Sequence, residues 1–459
     1  MQKALIYKFL TIGGLVLLLL VPLSMIGGVI DGRQYHRTAA VNDIAASWTG
    51  PQKITGAVLV APYKEIVTKD VEVYEDGKRQ TVQKRQILQR YKYILPEAIQ
   101  INGDIRTEER YRGIYKVPVY TADLKLEGHF HVEKSLGLTE NLANITWQEP
   151  YIVFGVQDIR GINQSVKLNV NNKHVEPRPG TRTSFIPQGI HGTLNLGYDK
   201  DMDLNFDVAL ELQGMETLSF LPTGKSTRVD LKSPWPHPKF EGRFLPKTRE
   251  ISGDGFSARW ETSFFSSNML EHLESCIRQN QCNAFQNNSF GVSLHQGVDI
   301  YLQAERSVKY ALLFVGLTFV AFLLFEILKG LRIHAVQYGL VGIALALFYL
   351  LLISLSEHIA FGLSYIIASI ACVSLISFYV SFVLRSAARG LIFAGTLSGL
   401  YGALYMLIRS EDYALLMGSG LLFGVLTFIM VITRDIDWYK IEAGAKQQLV
   451  KSDNKQKSE

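Results

Sequence analysis

The chain has 459 residues and a formal net charge of +5, with 47% hydrophobic and only 19% charged residues, and its mean hydropathy is +0.11. These averages join two compositions: residues 31–309 read as an aqueous domain large enough to bury a core, whereas 1–30 and 310–433 read as lipid-embedded. The excess positive charge flanks the apolar runs, so it marks membrane topology and speaks against nucleic acid as a partner.

A helix needs about 20 apolar residues to cross the ~30 Å hydrocarbon layer, where backbone groups must be satisfied internally. Six stretches meet that demand: residues 9–30, 310–328, 335–355, 359–384, 390–408 and 413–433. The first follows Lys3 and Lys8 as a signal peptide would, but it is longer than a signal core and lacks a small-residue cleavage site, so it reads as an uncleaved anchor. With the N-terminus inside, the cytoplasmic segments carry Lys3 and Lys8, then Lys329 and Arg332, then Arg385 and Arg389, then Arg434 and the lysines of the tail. The short outer loops carry only Arg409, beside Glu411 and Asp412. Basic residues are retained inside, so residues 31–309 fall outside, in the periplasm of a Gram-negative cell. The polar tail 434–459 returns to the cytoplasm with a composition that suggests disorder.

Within 31–309, alternating β-branched and aromatic stretches recur at 57–67, 69–74, 86–95, 114–122, 124–132, 151–156, 164–170, 192–196, 203–212 and 255–262. That is the pattern of an all-β sandwich or barrel. Asp76-Gly77 marks a tight hairpin turn. The segment from Ser233 to Gly242 holds Trp235, His237, Phe240 and three prolines. It is too proline-rich for a central strand and predicts a fixed-shape loop that closes the sandwich. After Ser263 the spacing turns helical over 268–279 and again over 298–309, where a helix could run directly into the second span. Cys276 and Cys282 are spaced for a short-loop disulfide in an oxidising compartment, against the alternative of two free thiols. Cys372 lies inside an apolar run.

Motifs for chemistry are scarce. Pro222-Thr-Gly-Lys-Ser226 lacks the glycine a phosphate loop needs five residues before Gly224, where Ser219 stands. His129 and His131 share a strand face as two metal ligands could, with His174, His191 or His237 as an unplaced third, but any half-exposed strand produces that alternation. No metal site and no cofactor is expected. The most unusual polar cluster is Ser356, Glu357 and His358 at the outer end of the third span, where an ionisable residue near lipid is costly. Neighbouring helical residues point about 100° apart, so these three cannot form a triad alone. A role in packing or in contacting the outer domain is the better reading. Glu326 and His334 flank the first inner loop, where pairing with Lys329 and Arg332 accounts for them. Gly395, Gly399 and Gly402, with Gly418, Gly420 and Gly424, fit close helix–helix packing.

Several runs then carry a resemblance: Lys309-Tyr-Ala-Leu-Leu-Phe-Val-Gly-Leu-Thr-Phe319, Leu347-Phe-Tyr-Leu-Leu-Leu-Ile-Ser-Leu-Ser-Glu-His358, Leu218-Ser-Phe-Leu-Pro-Thr-Gly224, the stretch 233–246, Phe256-Ser-Ala-Arg-Trp260 and Val298-Asp-Ile-Tyr301. Together they closely resemble the CreD family of inner-membrane proteins, associated with cell envelope integrity, over nearly the whole chain. The resemblance implies envelope maintenance in Gram-negative bacteria, downstream of a two-component system and with tolerance to certain colicins, and it supplies no catalytic residue.

The expected architecture is a polytopic α-helical membrane protein of six transmembrane helices with a large all-β, sandwich-like periplasmic domain between helices 1 and 2. Its parts are 1–30, 31–309, 310–433 and 434–459. The expected partners are the lipid bilayer and a periplasmic envelope component or protein; nothing in the sequence sets an oligomeric state. The expected role is a non-enzymatic one in envelope integrity. The alternative, a transporter or lipid-handling protein, would need polar residues inside the bundle or broken helices. A third possibility is an intramembrane enzyme built on Glu357 and His358.

Overall fold

The computed structural model describes residues 2–75, 78–140, 142–164, 166–279, 281–294, 300–329, 333–384, 386–410 and 413–434. The Asp76-Gly77 turn, Arg332, Arg385 and the tail from residue 435 lie outside them. The chain divides into two compact units, Met1–Arg37 with Val298–Glu459, and Thr38–Gly297.

The helices of the first unit are α1 (Gln2–Ser47), which continues into the second unit, then α5 (Ile300–Lys309), α6 (Ala311–Lys329), α7 (Ala335–Ser356), α8 (Phe361–Val383), α9 (Ala387–Arg409) and α10 (Ala414–Thr433); α2 (Phe264–Ser267), α3 (Met269–Gln279) and α4 (Asn283–Gln286) belong to the second. Among the described residues five helices are long and apolar enough to cross a membrane, and α5 with α6 makes a sixth, bent by 45°. The expected direct run into the second span is therefore broken at Tyr310. One reason lies in the sequence: α5 carries Glu305, Arg306 and Lys309 on one side and buries Tyr301, Ala304 and Ser307 on the other, whereas α6 is apolar all round up to Glu326. A bend lets the amphipathic piece and the lipid-adapted piece take separate directions. Helix α1 also runs well past the span expected to end at residue 30.

Of the six glycines expected to pack helices, Gly418 alone meets a neighbour, a Cβ there lying 3.8 Å from Leu407. A Cβ on Gly395, Gly399, Gly402, Gly420 or Gly424 would meet nothing within 4 Å. Close approaches fall instead at Gly342 on α7, where a Cβ would clash with Leu19 and sit 3.0 Å from Phe319, and at Gly390 on α9, where it would sit 2.6 Å from Ser381. Spacing alone could not separate a glycine facing a neighbour from one facing outward.

The second unit is built from β1 (Gln52–Glu75), β2 (Lys78–Ile94), β3 (Ala98–Arg112), β4 (Tyr115–Val132), β5 (Ile145–Trp147), β6 (Tyr151–Val156), β7 (Lys167–Val170), β8 (Lys173–His174), β9 (Pro177–Pro179), β10 (Gly189–Thr193), β11 (Met202–Met215), β12 (Thr217–Leu221), β13 (Ser226–Ser233), β14 (Pro238–Gly242), β15 (Thr248–Ser252), β16 (Gly255–Ser263) and β17 (Phe290–Leu294). One sheet runs β14-β17-β12-β1-β6-β10-β9, with β2 and β5 also on β1; the other runs β15-β16-β13-β3-β4-β11-β7-β8. The β1–β12 and β13–β3 pairs are parallel, so they are joined by crossovers rather than tight turns. The core lies between the sheets, with Trp260, Phe130, Phe206 and Phe290 almost wholly buried.

Burial patterns follow the layers. The second sheet alternates buried and exposed along β3, β4 and β13, so its far face meets water. On the first sheet, 57–61 of β1 and all of β6 are buried continuously, because α3 and α4 cover the far face. There Met269, Leu273, Cys276 and Phe285 pack on Val58, Val60, Tyr151 and Val153. Two pairs of expected strands, 57–67 with 69–74 and 114–122 with 124–132, are single strands β1 and β4. Beyond Glu65, β1 pairs only with β2, and residues 66–72 are exposed or half-exposed, so no buried face marks the two expected stretches as one strand.

The end of α1 packs within this unit. Ile44 joins Val117, Val119 and Met215 in a small cluster, and Arg110 lies 4.6 Å over the Trp48 ring. Arg160 donates to the carbonyls of Ala46 at 2.9 Å and Ala45 at 3.3 Å, placing a cation at the negative end of the helix. Asp158 chelates the same guanidinium, which holds its carboxyl below the usual range.

Candidate functional site

The polar cluster on the third span resolves into three separate situations. Ser356 is buried, and its hydroxyl donates to Ile353 O at 3.0 Å. His358 is exposed, with its N–H bonded to Leu355 O. Glu357 is the C-cap residue of α7, its side chain only 8% exposed and paired with Arg33 at 3.2 Å. The Tyr301 hydroxyl stands 3.5 Å from the same carboxylate oxygen. A carboxylate is disfavoured at the negative end of a helix, so the cation is what permits Glu357 there. The cluster therefore ties α1 and α5 to α7 and brings no nucleophile onto a base.

At the other end of the same unit sits a stronger constellation. Glu326, 6% exposed, accepts from Lys8, from Ile333 N at 3.2 Å and from the Tyr338 hydroxyl at 3.1 Å. Three donors on one buried carboxylate satisfy a group that would otherwise carry a large desolvation penalty. The pairing expected for Glu326, with Lys329 and Arg332, falls on side chains outside the described ones. His334 caps α7, its Nδ1 accepting from Val336 N at 3.3 Å and its own N–H reaching Gln337 at 3.0 Å.

Between these ends the bundle is less apolar than its composition suggests. Tyr365 donates to Tyr401 O at 2.6 Å, Tyr401 to Cys372 Sγ at 3.1 Å, and Cys372 lies 3.4 Å from Ala344 O. Phe348 and Phe314 pack edge-on against Tyr401. The available signal was a tyrosine on each of three helices, Tyr349, Tyr365 and Tyr401; as isolated letters they looked scattered.

In the second unit, Cys276 and Cys282 are joined as a disulfide, with Cα atoms 4.3 Å apart. The proline-rich segment is a loop only as far as His237, after which Pro238–Gly242 forms the edge strand β14. Proline is tolerated there because it starts an edge strand. Trp235 packs partly buried against the core, and Phe240 meets Trp260 and Phe256 edge-on at 5.5 and 5.7 Å. His237 is exposed. Gly242 has φ +100°, and a Cβ would lie 2.3 Å from Ser289 O, so the turn admits only glycine. The segment carries the chain from one sheet to the other.

The histidines do not converge. His131 bonds Asp203 at 2.8 Å, which raises its pKa, while buried His191 bonds Gly180 O at 2.6 Å and burial lowers its pKa. Among the described residues no group of three or more His, Cys, Asp or Glu is placed to hold a metal.

A β unit inserted in a chain of five to six membrane-length helices, stitched by buried ion pairs, defines a polytopic membrane protein. The chain matches the family described as "Inner membrane protein CreD" over residues 4–439, and it belongs to that family. It is 37% identical over 439 residues to Inner membrane protein CreD of Escherichia coli strain K12, covering 96% of this chain and 95% of that one. Solved structures are only distantly similar. A protein of Legionella pneumophila described as a candidate nutrient-binding protein gives a TM-score of 0.26 at 10% identity, over 49% of this chain and 77% of that one. Leukotriene A4 hydrolase of Saccharomyces cerevisiae gives 0.20 at 9%, over 37% and 27%.

Proposed function

We propose that this chain is a non-enzymatic inner-membrane protein of envelope maintenance, with its β unit in the periplasm, both termini in the cytoplasm, and an envelope component or partner protein as what the β unit contacts. The domain limits that go with this reading are 1–30, 31–309, 310–433 and 434–459. The observation that carries it is the Cys276–Cys282 disulfide on a unit inserted between the first membrane-length helix and the rest, because such bonds persist in oxidising compartments. The basic residues flanking the apolar runs favour the same orientation.

A reporter enzyme that works only outside the cytoplasm, fused near Gly180, is expected to be active, and a cytosolic reporter at the same place silent. The reverse result would overturn the orientation. Complementation of a deletion strain's envelope phenotype by Glu357→Gln and His358→Gln variants is expected to be normal, since neither group is placed to act on a substrate; loss of function with normal abundance would revive an enzymatic reading.

A further inference from the structure

At one side of the β unit both sheets run out, at β9 in one and β8 in the other. Between these last strands lies a recess of about 510 Å³, walled by β7, β8, β9, β10 and the turn at Ile159. That volume falls within the roughly 300–1,000 Å³ typical of small-molecule sites. Its floor is aliphatic: Val166 and Ile190 of the inter-sheet core reach it, and Ile159 stands 40% exposed above them. Ile159 carries that apolar surface out to the mouth of the recess.

The rim has one sign of charge. Lys167, His174 and Arg178 line the recess and no carboxylate does. All three are exposed, and among the described residues none is in an ion pair. Two permanent positive charges and one imidazole around an apolar slot match a phosphate monoester of charge about −1.5 to −2. Arginine adds the forked geometry that phosphate oxygens accept.

We infer that this recess at the open edge of the sandwich binds a single-chain lipid phosphate, its acyl chain against Ile159, Val166 and Ile190 and its head among Lys167, His174 and Arg178. The assignment does not depend on which side of the membrane the unit faces, so it and the topology proposed above can fail separately.

The test uses the full chain in nanodiscs and three photoreactive diazirine probes of equal chain length: a lysophosphatidate, a fatty acid and a fatty alcohol. Expected is labelling mapped by mass spectrometry to peptides holding Ile159, Val166 or Ile190, strongest for the phosphate and about tenfold weaker for the alcohol. The variant Lys167→Glu/Arg178→Glu should lose phosphate labelling about tenfold. Ile190→Trp, which fills the slot, should lose labelling by all three probes. Disulfide formation and the thermal transition serve as fold controls for each variant. Equal labelling by phosphate and alcohol, adducts only elsewhere in the chain, or labelling indifferent to the charge reversal would each overturn the inference, and equal labelling by fatty acid and phosphate would overturn the choice of phosphate.

Discussion

Glu326 and Glu357 sit at opposite ends of the same helical unit, and each is paired with a cation on α1, yet they are held very differently. Lys8 and Arg33 are separated along α1 by about 37 Å at ~1.5 Å per residue, a little more than the ~30 Å hydrocarbon thickness, so both pairs fall near the interfaces. At the first end three donors saturate the carboxylate, one of them a buried tyrosine. At the second, Arg33 is 45% exposed and the tyrosine hydroxyl is at the limit of hydrogen-bond reach. The number of fixed donors, rather than the presence of an ion pair, decides how much each end can contribute to holding α1 against the bundle.

The largest effect should therefore follow Glu326→Ala. It strands Lys8 and leaves the Ile333 N–H and the Tyr338 hydroxyl without an acceptor. Breaking a buried pair from one side costs roughly 3–5 kcal/mol, and the partial exposure of Lys8 (29%) puts the expectation near the low end. Thermal unfolding of detergent-purified protein, read alongside abundance in membranes, measures it. The exchange Lys8→Glu with Glu326→Lys should recover part of the loss relative to either single change, because a double-mutant cycle isolates the pair. Additive losses would mean the helix–helix contact rests on packing such as Leu19 on Gly342.

Next comes Tyr338→Phe, expected to cost about 1.5–2 kcal/mol for one hydrogen bond to a carboxylate. Glu357→Ala should cost less, about 0.5–1 kcal/mol, since Arg33 is 45% exposed and a solvated pair contributes little. If Glu357→Ala proved as damaging as Glu326→Ala, the contrast between the two ends would be lost.

The sequence carried much of this at the level of elements. Six membrane-length stretches were readable because lipid demands about 20 apolar residues in a row, and β6, with all six residues buried, was readable to its ends. Glu357 stood out as an ionisable residue at the end of an apolar run, whereas Glu326 was read as a loop-flanking charge. Their partners did not stand out, because Lys8 lies 318 residues from Glu326, and nothing in a linear pattern joins such positions. Strand β3 was missed altogether: its far half, through Glu108, Glu109 and Arg110, is charged, and the face it shares with Val117 and Val119 packs on the end of α1 rather than on the other sheet. Five of the six packing glycines were misassigned for a related reason, since period alone gives a face but not what that face meets. The two cysteines were legible because a disulfide over a six-residue separation is local.

The smallest expected effect is at His358, directly beside Glu357 in the chain. Its side chain is exposed and only its backbone N–H is engaged, to Leu355 O at 3.0 Å. A glutamine keeps that backbone bond and the solvent-facing polarity, so His358→Gln should change stability by no more than about 0.5 kcal/mol. A larger loss would mean that the imidazole has a partner in the membrane environment. The second end would then be held by more than Arg33 and Tyr301, and the asymmetry between the two ends would narrow from that side.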